Sequence, residues 1–202
     1  MPHTLPYLGR RGQRSGSPAT STGSEVSLGI PRPLTFERRP RMLISKELNA
    51  AINEEIGLEL FASNQYLNIG SYFESLALKK LGGMFYKQAE EEREHAVKFV
   101  KYLGDTGGTL EIPSVQAPKA TFTSVEEAVK TSLDWELEVT RRINSLMAMA
   151  IDQKDYAAQD FLRWFVTEQV EEVSTMDNLL RVVQAAGERS LIVVEAYLVH
   201  QA

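Results

Sequence analysis

From Ser45 almost to the C-terminus, apolar residues recur with a period close to 3.6 in four long segments, and no stretch alternates as a strand does. A chain with this pattern buries its stripes by laying helix against helix. The spacing predicts helices near 46–74, 78–104, 124–152 and 155–186, with a short fifth near 189–200. Ser124 and Glu127 form a capping box ahead of the third helix, and Gly104, Gly107 and Gly108 end the second. Gly82 and Gly83 sit early in the second helix and weaken the reading of its start. Residues 152–155 form a tight turn, and Gly187 closes the fourth helix. The first two helices have a short link, as do the third and fourth, so each pair is an antiparallel hairpin. Between the hairpins, residues 105–123 contain Pro113 and Pro118 and have no period. Extended at about 3.3 Å per residue, that segment spans about 60 Å, enough for a crossover along helices about 42 Å long. The expectation is an all-α four-helix bundle of two antiparallel hairpins with a long crossover, plus a short fifth C-terminal helix.

Each stripe is broken by a charge. The first runs Leu48, Ile52, Ile56, Glu59, Tyr66, Ile69, Phe73; the second Leu81, Phe85, Gln88, Glu92, His95, Phe99, Leu103. The third runs Val129, Leu133, Glu136, Val139, Ile143, Leu146; the fourth Phe161, Phe165, Gln169, Glu172, Met176, Leu179, Val183. The glutamates lie near mid-helix and are expected to meet at one height. A buried carboxylate costs several kcal/mol unless it is paired or bound to a metal. No lysine or arginine lies on these stripes, and two divalent cations would cancel the charge of four carboxylates. Glu92 and His95, at i and i+3, project toward one point. A Glu-x-x-His on one helix with single glutamates from others is a carboxylate di-metal arrangement.

Composition narrows the chemistry. There is no cysteine, which removes disulfides, thiolate metal sites and cysteine nucleophiles. Any metal must use carboxylate and imidazole. Net charge is −5, unevenly placed: residues 1–41 hold seven arginines against Glu25 and Glu37, leaving 15 basic and 25 acidic side chains beyond them. A body at −10 is unlike a nucleic-acid binder and attracts cations. No apolar run approaches the eighteen or so residues that cross a bilayer, so no membrane role is expected. Residues 1–41, rich in Pro, Ser, Gly and Arg, read as a disordered basic N-terminal extension to a domain of residues 42–202. Its explanations stay open: a tail without catalytic role, an organellar transit peptide, or a translation start at Met42.

The segments "GLELFASNQY" (57–66), "QAEEEREH" (88–95), "WELEVT" (135–140) and "FLRWFVTEQVEE" (161–172) resemble the prokaryotic non-haem ferritins, and the likeness covers about 42–202. The resemblance implies a ferritin-like bundle that oxidises Fe(II) with O2 at a di-iron centre and stores the ferric mineral in a homo-oligomeric cage of two dozen subunits. Carried over residue by residue, Glu59, Glu92 and His95 form the first iron site. Glu92 bridges to a second site completed by Glu136 and Glu172, with Gln169 close by as a labile ligand. Glu91, Glu168 and Glu171, sharing Glu172, form the third iron site typical of prokaryotic members. Tyr66 and Trp164 match aromatic residues beside the centre, and Tyr66 can supply an electron. Within the acidic run at residues 90–94 of the second helix, Glu90 and Glu94 are left on a solvated face with Arg93. His3 and His200 are read as surface residues.

Relatives with other chemistry are separated by what is missing. A two-histidine centre would want histidine where Thr175 stands. Intersubunit haem uses a methionine where this chain has Arg93 and Glu94, so no haem is expected. A cysteine-ligated iron of the rubrerythrin type has no ligands here. The implied localisation is cytoplasmic, or organellar if residues 1–41 are a transit peptide. Three alternatives stay open: a carboxylate-bridged di-iron oxidase that forms no cage, a shell subunit that only nucleates mineral, and occupancy by manganese or zinc. The fifth helix has Leu191, Val194 and Leu198 on one side, placed to pack at a subunit axis.

Overall fold

The computed structural model of the protein describes residues 42–200, which form α1 (Lys46–Ser75), α2 (Lys79–Thr106), α3 (Val125–Asp152), α4 (Tyr156–Ala186) and α5 (Ile192–Val199). The 1–41 extension and His3 lie outside the described residues. No helix among the described residues is long and apolar enough to cross a membrane.

Local chemistry sets the helix ends. Ser45 Oγ accepts from Leu48 N at 3.0 Å, Ser124 Oγ from Glu127 N at 3.0 Å and Asp155 Oδ1 from Ala158 N at 3.0 Å, each satisfying a donor the first turn leaves free. The expected capping box at α3 is only half formed. The Glu127 carboxylate accepts from Thr123 N at 2.6 Å, one residue before the cap, and also takes the Lys119 ammonium. Those contacts hold Glu127 at about 2, the Lys119 hydrogen bond first. Gly104, expected to help end α2, lies inside it. The helix runs two residues further, and Gly107 at φ 73° takes the left-handed cap. The hairpin turns use non-glycine residues in the left-handed region, Ala77 at φ 63° and Lys154 at φ 55°.

α1 packs along α2 and α3 along α4, and α1 also meets α3. Gly82 has a structural purpose at the first of these contacts. A side chain there would meet the Gly70 carbonyl oxygen at 3.2 Å, so the two glycines let the α1 and α2 backbones approach. The crossover has no helix or strand, but it is held in place. Asn53 on α1 donates to Thr109 O at 2.8 Å and accepts from Glu111 N at 2.7 Å. Twelve residues further on, Gln65 donates to Lys119 O at 3.0 Å and accepts from Lys119 N at 2.8 Å. Asn53 and Gln65 are buried because the crossover covers them, and Pro113 lies against Gly57 between the two clamps.

The fifth helix turns the expected face elsewhere. Val194 is fully buried, with Leu191 and Leu198 packed beside it on this chain's own bundle, against α2 and α4. Ile192, Val193 and Val199 are the helix's large apolar residues left exposed. Glu195 fastens the helix: its carboxylate accepts from Lys80 N and Leu81 N, both at 2.9 Å. It thereby caps α2, whose own Ncap, Leu78, provides no side-chain hydrogen bond.

The apolar interior is divided in two. One cluster holds Ala62, Tyr66, Phe85, Ala89, Val129 and Met176, among others; the other holds Ile56, Ala96, Phe99, Val139 and Phe165. Between them every long helix passes through a polar belt: Glu59 on α1, Glu92 on α2, Glu136 on α3, Gln169 and Glu172 on α4. The four interruptions do meet at one height.

Candidate metal centre

Three sets of donors close to within 4.8 Å at the belt: Glu59, Glu92 and His95; Glu92, Glu136 and Glu172; and His95, Glu168 and Glu172. Glu92 belongs to the first two, so its carboxylate is common to two candidate donor sets. All members except Glu168 are buried. His95 Nδ1 lies 3.4 Å from Glu92 Oε2, and its Nε2 lies 3.9 Å from Glu168 Oε1. Both oxygens of Glu59, Oε1 of Glu92, Oε2 of Glu136 and Nδ1 of His95 are buried with no hydrogen-bond partner. Buried polar atoms are almost always paired, so this many unpaired donors facing one another is the chemistry of a cation site.

The supporting shell is organised around the oxygens that do have partners. Tyr66 is fully buried and its hydroxyl donates to Glu136 Oε1. Gln88 Nε2 donates to Glu172 Oε2 at 2.7 Å. Gln169 sits beside Glu136, with its Oε1 held by the Thr140 hydroxyl at 2.9 Å. Trp164 packs edge-on to the His95 ring at 5.5 Å between centroids, itself covered by the Lys98 ammonium at 4.1 Å.

Without a cation, the belt resists ionisation. Burial pushes the Glu59 carboxyl well above the usual range, and the neighbouring Glu92 adds to it. Burial and then Glu92 and Glu172 do the same to Glu136, against the Tyr66 hydrogen bond and the nearby Gln169 amide. Glu172 is raised to about 7 by burial and then Glu92, with Gln88 pulling it down. Tyr66 is raised well above its ordinary value by burial and then by Glu136, so it stays a donor.

The residues expected at the third site are only partly assembled. Glu91, Glu168, Glu171 and Glu172 all line one open cavity of about 660 Å³ between α2 and α4. Glu168 and Glu172 converge there with His95, whereas neither Glu91 nor Glu171 joins a group of three donors within 4.8 Å. Glu91 is instead paired with Lys87 at 2.9 Å. Glu90, Arg93, Glu94 and His200 are exposed.

Sequence reasoning missed Gln88 as a partner of Glu172, Thr140 as the anchor of Gln169, and a buried carboxylate at Glu55. For Gln88 and Glu55 the signal was the same: each lies one helical turn before a belt glutamate, Glu92 or Glu59. Glu55 is 2% exposed and is raised to about 8, by burial first.

Residues 49–186 match the family described as the ferritin-like domain. Over 148 residues the chain is 38% identical to a bacterial non-haem ferritin of Staphylococcus aureus, covering 73% of this chain and 89% of that one. A bacterial non-haem ferritin of Staphylococcus epidermidis is 37% identical over 146 residues, 72% of this chain and 88% of that one. Among solved structures, an open-pore ferritin of the archaeon Archaeoglobus fulgidus superposes with a TM-score of 0.75 at 32% identity, covering 78% of this chain and 98% of that one. The matched residues include all four helices of the belt and every donor converging on it, and the chain belongs to the non-haem ferritin family.

Proposed function

We propose that the protein stores iron and that its belt is a ferroxidase centre, with Fe(II) and dioxygen as substrates. The observation that carries the reading is the convergence of buried carboxylates and one imidazole from four helices, with the oxygens of Glu59, one each of Glu92 and Glu136 and the His95 Nδ1 unpartnered and no lysine or arginine among them. Four inner carboxylates balance two divalent cations, and hard oxygens with a single imidazole suit iron. Glu59 and His95 hold one ion, Glu136 and Glu172 the other, and Glu92 lies between them. Each Fe(II) gives up one electron, so two Fe(II), one O2 and two protons yield two Fe(III) and one H2O2. The protons displaced from Glu59, Glu136 and Glu172 as the cations bind leave carboxylates that tolerate the extra charge of Fe(III). Tyr66 keeps Glu136 oriented and stands as an electron donor beside the pair. Gln169, a neutral and weak ligand, favours release of the product, and Glu168 with Glu91, Glu171 and the shared Glu172 forms a third position toward the open cavity.

A homo-oligomeric cage completes the proposal. It is supported by apolar side chains exposed on the outer helix faces, Val170 at 71% and Ile192 at 75% among them, and by the fit to ferritin subunits along almost their whole length. Residues 1–41 are an extension to this domain and take no part in its chemistry.

Anaerobic loading with Fe(II), followed by oxygen in a stopped-flow instrument with oxygen uptake recorded, tests the reading. Fast oxidation saturating at two or three irons per subunit is expected, in a large particle that then accumulates mineral. Glu92→Ala should abolish the fast phase. Unchanged oxygen uptake in that variant sinks the assignment, and fast oxidation in a small particle that stores nothing points to an oxidase instead.

A further inference from the structure

Glu55 is a buried charge that the centre described above does not use. It lies one turn before Glu59 on α1, is 2% exposed, and its Oε1 has no hydrogen-bond partner. Leaving a carboxyl in that state costs several kcal/mol, and no ladder, cap or crossover contact uses this oxygen in return. Its charged neighbours are Glu59 and Glu92 of the centre and Arg142 and Glu138 of α3. The α3 pair stands at the surface, with side chains 43% and 37% exposed and Arg142 Nε 3.5 Å from Glu138 Oε1. That nitrogen is also without a hydrogen-bond partner, so Arg142 is held by charge alone. By exposure the carboxylates run inward from the surface as Glu138 (37%), Glu55 (2%) and Glu59 (1%). They do so between α1 and α3, whereas the open acidic cavity lies between α2 and α4.

We infer that Glu138 and Glu55 form a separate cation-binding step that passes divalent metal to Glu59 from the α1–α3 side, with the Arg142 guanidinium standing in for the cation until one arrives. The inference rests on reading Glu59, Glu92 and His95 as a metal centre. Two carboxylates without imidazole hold a hard divalent ion such as Fe(II) weakly, which suits transfer rather than storage. An arginine on a long, half-exposed side chain can swing into solvent when a metal displaces it. The two charges then act in opposite directions: the Glu55 carboxylate draws metal inward, and the guanidinium competes with it at Glu138.

The test is anaerobic filling of the full-length protein with Co(II), followed by stopped-flow absorbance, which needs no oxidation. Glu92→Ala identifies the part of the signal that belongs to the centre. Glu55→Gln should slow that part about ten-fold at low Co(II) while leaving its final amplitude unchanged, and Arg142→Gln should speed it. Glu138→Gln, at an exposed position, should slow it as Glu55→Gln does and gives the same readout should the buried variant fail to fold. Filling at the wild-type rate in both carboxylate variants overturns the inference while leaving the centre intact. So does a change in the same direction for Glu55→Gln and Arg142→Gln. A wild-type signal indifferent to Glu92→Ala removes the centre and the inference with it.

Discussion

The metal-free belt should make this protein less stable as pH rises through neutrality, the reverse of ordinary acid denaturation. The fold holds Glu172 at about 7 and Glu55 at about 8, against 4.5 for a free glutamate. Folding therefore takes up protons, and the stability this represents is fully present below pH 4.5 and is lost as pH climbs through 7 and 8. Between pH 5 and 8 the loss is about 2.5 kcal/mol at Glu172 and about 3.5 kcal/mol at Glu55. Glu59 and Glu136 are raised as well and add in the same sense. Glu127, held at about 2, acts in the opposite sense, but only as pH falls below the ordinary carboxylate range. For a chain of this length each kcal/mol moves Tm by roughly 2–4 °C.

The assay is thermal unfolding of chelator-treated protein from pH 5 to 8, with and without Zn(II). Tm of the metal-free wild type should fall over that range. Glu172→Gln and Glu55→Gln should each flatten the fall, by roughly 5–10 °C and 7–14 °C. Zn(II), which binds only the deprotonated donors, should restore more at pH 8 than at pH 5. A wild-type Tm that is flat or rising from pH 5 to 8 would refute the reasoning. So would a Glu55→Gln slope equal to the wild type.

Three further substitutions probe the frame around the belt. Tyr66→Phe removes the donor to Glu136 and should cost the metal-free protein about 1–3 kcal/mol in urea titration, and less once Zn(II) binds the freed oxygen. Asn53→Ala breaks the bonds to Thr109 and Glu111 and should cost about 2 kcal/mol, with faster hydrogen exchange at the Glu111 amide but not at Lys119, which Gln65 still holds. Glu195→Ala uncaps α2 at a cost of about 1 kcal/mol, and exchange should accelerate at the Lys80 and Leu81 amides and along α5 together.

What was legible in the sequence follows from how far each signal reaches. A glutamate on an apolar stripe is conspicuous because its burial is costly, so Glu59, Glu92, Glu136 and Glu172 stood out, and four helices of similar length, 28 to 31 residues, put them at one height. Glu55 did not stand out, because it follows Glu54 between Ile52 and Ile56 and looks like half of a solvated pair. Only Glu54 is solvated; Glu55 is buried where α1 meets its neighbours. Thr140 carries no charge and lies off the α3 stripe, and nothing local marks it as the partner of a side chain on another helix. The crossover looked structureless because its order is held by side chains of α1 more than fifty residues away, at Asn53 and Gln65. The fifth helix shows the same limit most plainly. Its period correctly grouped Leu191, Val194 and Leu198, but a period says which residues share a face and not what covers it. The deciding contact is Glu195 on the α2 amides, 114 and 115 positions apart in the chain, which presses that face onto the chain's own bundle and leaves Ile192, Val193 and Val199 outward. The large apolar side chains that α5 offers to a neighbouring subunit are therefore Ile192, Val193 and Val199 rather than the Val194 face.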